Sequence, residues 1–195
     1  MRQNTVKFIG IVLAVSFLLF CFVGCALILP EDPLAYQKKG FTAKLLFTDN
    51  GESLLVIVHM DAPHFDENGK MLARTAEITP IGGLLDGLSF TLKKQTASII
   101  MGDETIPLSG RDILAGFERL ISLFCIDDQY YNGSEKGEYE KKPCEIFTYR
   151  NGETTVTLTL DKETRLPLLL EATAGEDHFF AKIEEMLLED SPDEP

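Results

Sequence analysis

The sequence predicts an α+β domain behind an N-terminal apolar membrane segment. In it, a mainly antiparallel sheet of about nine strands packs on one main helix. Three observations predict it. Runs of alternating apolar and polar residues are separated by short Asn-Gly and Gly-rich turns. One stretch in mid-chain carries apolar residues at helical spacing instead. Residues Phe8 to Leu29, within the first thirty, are apolar almost throughout and share neither pattern.

Taken in order, Phe41, Ala43, Leu45 and Phe47 alternate with Thr42, Lys44 and Thr48, the period of a strand with one buried face. Asp49-Asn50-Gly51-Glu52 is a tight-turn signal, since Asn and Gly accept positive φ. The return strand, from Ser53 to about Asp61, carries Leu54, Val56 and Val58 on one side and Leu55 and Ile57 on the other. A strand apolar on both faces is expected to be covered on both. Glu67-Asn68-Gly69-Lys70 marks a second hairpin leading into Met71–Thr79. Pro80, Gly82, Gly83 and Gly87 break that strand, and Leu88–Leu92 and Ala97–Met101 follow as two more.

The helix is expected to start at Ser109, with Asp112 three residues on as a partner in a capping box. Ile113, Phe117, Leu120, Ile121 and Phe124 form its apolar stripe, which suits packing on a sheet. Asp127–Pro143 reads as a long acidic loop, because it shows no sustained apolar alternation. Strands resume with Cys144–Arg150, the Asn151-Gly152 hairpin, and a return in which Val156, Leu158 and Leu160 alternate with threonines. Leu166–Thr173 is the next strand. Asp177–Leu188 is ambiguous: Phe179, Ala181 and Ile183 suit a strand, whereas Phe179, Ile183, Met186 and Leu187 suit a helix. The expectation is a strand to about Glu184 and then a helical end. Residues 189–195 read as an acidic tail and 31–40 as a linker, which leaves 41–188 as one β-rich domain.

Arg2 and Lys7 precede the apolar run Phe8–Leu29, the layout of an export signal. Val23-Gly24-Cys25 resembles a bacterial lipobox, which implies cleavage before Cys25 and a lipid on its thiol. The run also has the length of about twenty residues that spans a bilayer uncut. A plain cleaved signal is the third reading. The basic N-terminal flank holds the start of the chain in the cytoplasm, so all that follows Pro30 is expected on the extracytoplasmic face of the plasma membrane.

With 31 acidic against 18 basic residues and a formal net charge of -13, the chain repels phosphate backbones and is not expected to bind nucleic acid. Of four cysteines, Cys21 and Cys25 lie in the leader. Cys125 and Cys144 are a possible disulfide, closing a loop of about twenty residues for about 3 kcal/mol. Two small buried thiols are the alternative. His59, Asp61, His64, Asp66 and Glu67 have the chemistry of metal ligands but not the spacing, and Pro63 lies among them, so a solvated loop is expected. No nucleophile elbow or phosphate-cradling glycine loop occurs, and neither catalytic residues nor a cofactor is expected.

Several features together resemble a known superfamily. They are the opening Phe41-Thr42-Ala43, the Gly-rich turn from Pro80 to Phe90, the mid-chain helix, the late Asn-Gly hairpin, and Asp161, Thr164, Leu166 and Pro167. The chain resembles small Firmicute lipoproteins of the outer-membrane lipoprotein carrier superfamily and its sensor relatives. That resemblance implies a half-barrel, a curved sheet around helices with an apolar concave face for an acyl chain or a protein segment. It implies no catalysis. A membrane-fixed receiver, chaperone or sensor of the cell envelope is the expected role, holding a lipid, a lipoprotein or a protein segment. A structural or regulatory envelope module without a ligand cavity is the alternative.

Overall fold

The computed structural model describes residues 32–64, 74–93, 96–108 and 111–189, with side chains from 115 onward in the last of these. Pro33–Pro195 forms one compact unit. Its core is a single antiparallel sheet of eleven strands, a curved surface with one α-helix on one face among the described residues. The strands are β1 (Phe41–Asp49), β2 (Glu52–Met60), β3 (Thr75–Pro80), β4 (Ser89–Lys93), β5 (Thr96–Met101), β6 (Glu104–Leu108), β7 (Tyr131–Tyr139), β8 (Lys142–Asn151), β9 (Thr154–Asp161), β10 (Pro167–Ala174) and β11 (Asp177–Leu188). Helix α1 spans Arg111–Leu123. The sheet order is β6-β5-β4-β3-β2-β1-β11-β10-β9-β8-β7, two meanders joined where the first strand pairs with the last.

This corrects the expected α+β class of about nine strands. The fold is mainly β, and the two strands that the sequence reading lacked are its two edges, β6 and β7. An edge strand with both sides in solvent needs no apolar alternation. Residues 104–107 of β6 are all exposed and include Pro107, while β7 carries Glu135, Lys136 and Glu138. The expected acidic loop 127–143 is therefore mostly the strand β7.

The expected helical end after Glu184 is also corrected, because β11 is strand throughout. A bulge explains the misleading spacing. Leu45 pairs with Ile183 but Lys44 pairs with Glu185, so the inward set steps from Ile183 to Met186. The apolar run 8–29, Glu67–Lys70 and the Ser109 cap lie outside the described residues. Among the described residues no helix is long and apolar enough to cross a membrane.

Turn chemistry acts where it was read. Asn50 and Gly51 have φ 48° and 91°, the two positive values of a type I′ turn. At the later hairpin Asn151 still pairs with Thr154, so the turn residues are Gly152 and Glu153. Gly152 at φ 60° supplies the single positive φ that a type II′ turn asks for.

The inner face holds one core. Phe41, Ala43, Leu45, Val56, Val58, Ile78, Leu158, Leu170 and Ala181 are fully buried on it. Phe117, Leu120, Leu123 and Phe124 of α1 and the residue after it press on that face, with the Phe124 ring 5.1 Å from Phe41 and Phe117 4.9 Å from Phe90. The expected two-sided cover of β2 is not found: Ile57, on its outer side, is 37% exposed. The tip of the β7–β8 hairpin crosses the outer face farther along, where Glu140 meets Lys182 of β11 at 2.5 Å. On β7 a Cβ added at Gly137 would sit 3.0 Å from the Ile146 side chain of the paired strand β8.

The turn Asp161–Thr164 has a testable electrostatic signature. Asp161 Oδ1 accepts from the backbone N–H of Thr164 at 3.0 Å and of Glu163 at 2.8 Å, which holds its carboxyl below the usual carboxylate range. A lowered native pKa stabilises the fold above the unfolded value of about 3.9, and the gain is lost as pH falls through the native value. Asp161→Asn keeps an acceptor but does not titrate. Urea unfolding should show it less stable than wild type at neutral pH and level with it in strong acid. A gap unchanged with pH would refute the assignment.

Candidate apolar groove beside the helix

The helix does not fill the concave face. Two cavities flank it, and both lie toward the end of the sheet that carries the β1–β2, β8–β9 and β10–β11 turns. The first, about 290 Å³, lies between the last turn of α1 and strands β8–β11. Leu123, Ile126, Val156, Ala172 and Phe179 supply its apolar walls. Tyr130, Tyr149, Asn151, Thr154, Ser122 and Asp127 supply its polar groups. The second, about 330 Å³, lies between Gly116 and Phe117 of the helix and Phe47, Asp49, Glu52, Ser53 and Leu54 of the first hairpin.

Arg119 stands between them. Its Nη1 donates to both carboxylate oxygens of Asp49 at 2.8 and 3.1 Å, and its Nη2 to Asp177 at 3.2 Å. Its guanidinium also lies 5.7 Å from the centre of the Phe179 ring. Asn50 ties the same two strand ends together, since its Oδ1 accepts from the His178 N–H at 3.2 Å and its Nδ2 donates to Asp177 at 3.3 Å. A polar clasp thus holds the exposed side of the helix, while apolar packing holds the other.

The opposite end of the groove is closed by the segment ahead of β1. Residues Ala35–Lys38 make a 3-10 turn that buries Tyr36. Burial pushes the Tyr36 hydroxyl well above its ordinary range. Gln37, with its amide oriented to satisfy both groups, bonds the backbone of Ile126 at 3.1 and 3.2 Å. Arg74 fastens this segment: it donates to the carbonyls of Gln37 (3.0 Å), Lys39 (2.9 Å) and Asp61 (2.7 Å) and lies over the Phe41 ring.

The residues singled out in the sequence are scattered. Cys125 follows the helix and lines the first cavity, whereas Cys144 is buried on β8 opposite Asp161 and Gly137. Both are free thiols in the structure. Desolvation raises the Cys125 thiol despite the residue's exposed surface, with Arg74 opposing the rise. Cys25 lies outside the described residues. His59 is on the outer face, 3.1 Å from Thr42 Oγ1, with carboxylates of Glu189 at 3.2 Å and Asp61 at 3.5 Å. His64 is exposed, and Asp66 and Glu67 lie outside the described residues. Among the described residues no group of three such side chains is gathered for a metal.

Sequence reasoning passed over Arg74, Arg119 and Tyr149. For Arg119 a signal existed: a basic residue beside an apolar helical stripe in an acidic chain, with no residue of opposite sign three or four positions away to pair with it on the helix. No histidine lines either cavity, so neither holds a Ser–His or Cys–His pair. What the groove can do is enclose an apolar group and hydrogen-bond the polar atoms attached to it at the mouth.

No family model and no curated protein matches the chain. Among solved structures it is similar to MucB, with 14% identity and a TM-score of 0.48 over 82% of this chain and 57% of that one. It is also similar to a chain of the Pseudomonas aeruginosa MucA/MucB complex, with 13% identity and a TM-score of 0.44 over 82% and 55%. The third is a DUF1329 family protein from Desulfovibrio piger, with 11% identity and a TM-score of 0.43 over 80% and 88%. The chain thus spans little more than half the length of the MucB chains.

Proposed function

We propose that this protein is a non-enzymatic binding module whose ligand seat is the concave groove beside α1. On this reading the apolar leader tethers the domain to the extracytoplasmic face of a bacterial plasma membrane, either through lipid on Cys25 or as an uncut helix. The observation that carries the binding role is the 290 Å³ cavity, with its apolar walls and its ring of hydroxyl and amide groups. Its size lies at the lower end of the roughly 300–1,000 Å³ usual for ligand sites. One alkyl chain or one to two large side chains suit such a space better than a bulky lipid.

A neutral alkyl-diazirine photoprobe, applied to the full chain in phospholipid nanodiscs, tests this directly. Peptide mass spectrometry should place label on the Cys125–Tyr130 and Tyr149–Val156 segments. Val156→Phe, which grows a ring into the cavity, should abolish that label and leave label on the leader unchanged. Equal labelling of the two proteins would remove the groove from the argument.

A further inference from the structure

The cavities offer room for an apolar group, and the charges around them bear on what would carry it. Resting on the groove reading, we infer that the occupant is a basic protein segment, one that presents apolar side chains interspersed with Lys or Arg. Both cavities are lined at the turn-bearing end of the sheet, opposite the end where Gly40 enters and Glu189 leaves. That end is acidic. Asp49 and Glu52 line one cavity and Asp127 the other, while Asp86, Asp103 and Asp128 stand on neighbouring turns. Among the described residues its arginines are Arg119 and Arg150, and Arg119 is already engaged by Asp49 and Asp177. Lysines gather at the other end instead, at Lys39, Lys93, Lys141, Lys142 and Lys162.

Three features choose a protein segment over a fatty acid or phospholipid. The charged groups lining the cavities are Asp49, Glu52 and Asp127, and Arg119 between them is already engaged by Asp49 and Asp177, so a carboxylate or phosphate head would find no unengaged cation among the lining residues. The apolar space is divided in two by the helix, which suits several separate side-chain anchors more than one continuous acyl chain. The same end also presents large apolar groups to solvent: Leu84 is fully exposed, and Met101 and Tyr131 are half exposed. Leu84 rides on a braced turn, where the Gly82 N–H donates to Asp86 at 3.2 Å and Gly82 and Gly83 take φ 77° and 72°. A presented leucine with acidic neighbours complements an apolar partner surface bordered by basic residues.

The test uses the full chain in zwitterionic nanodiscs, with empty nanodiscs as the blank and fluorescein-labelled 15-residue peptides read by anisotropy. A Leu/Lys peptide should bind, and both a Leu/Glu and a Ser/Lys peptide should bind at least about tenfold more weakly. Raising NaCl from about 50 to about 500 mM should weaken the Leu/Lys complex several-fold, as expected of exposed charges. Leu84→Ser, at a site with no packing to lose, should cost about fivefold, and Glu52→Gln with Asp128→Asn a similar factor. Equal binding of the Leu/Glu peptide, or no effect of either variant, overturns the inference. The photoprobe separates the two failures: cavity labelling without Leu/Lys binding sinks this inference alone, and loss of cavity labelling sinks the groove.

Discussion

Phe124→Ala should destabilise the domain by about 3–5 kcal/mol, the range for truncating a buried aromatic. At about 2–4 °C per kcal/mol for a domain of this size, the midpoint of thermal unfolding should fall by roughly 6–20 °C. The reason is local. Phe124 is fully buried directly after the helix, with its ring against Phe41 of the central strand. The adjoining Leu123 and Ile126 already border a 290 Å³ cavity, so few neighbours can move in to fill the new space. Circular dichroism in a urea series measures the loss. A change below about 1 kcal/mol would mean that the helix is docked by its polar clasp and not by its apolar stripe.

Arg74→Met should cost about 2–4 kcal/mol and act at the other end of the groove. Methionine keeps the apolar stem that lies by Phe41 but leaves the carbonyls of Gln37, Lys39 and Asp61 without their donor. Leaving such acceptors unpaired costs about 1–3 kcal/mol each when they are buried, and less where water reaches them. The effect should be regional. Hydrogen exchange should rise first over residues 35–40, before strands β8–β10 respond. Uniform loss across the sheet would show that Arg74 supports the whole fold instead of the segment carrying Tyr36.

Legibility in the sequence followed burial. Strands with one face in the core were readable where no bulge interrupts them, since burial imposes a period of two, as in Phe41, Ala43, Leu45 and Phe47. The helix was readable from Phe117, Leu120 and Phe124 for the same reason at a different period. The edges β6 and β7 were not, because no core selects among their side chains. The bulge at Lys44 and Leu45 shifted the inward set of β11 and imitated helical spacing. Of the groove, the sequence disclosed apolar strand faces but not the vacancy between them and the helix.

By itself, then, the sequence determined the succession of hairpins, their turns, the helix that follows the first meander and the acidity of the whole. All of these are local or additive properties of the chain. Only the tertiary structure decided that β1 pairs with β11, that Arg119 reaches two carboxylates from distant turns, and that the lysines gather at the end of the sheet away from the cavities. Those outcomes depend on contacts between residues far apart in the chain, for example Asp49 with Arg119, and no local period or turn preference encodes them.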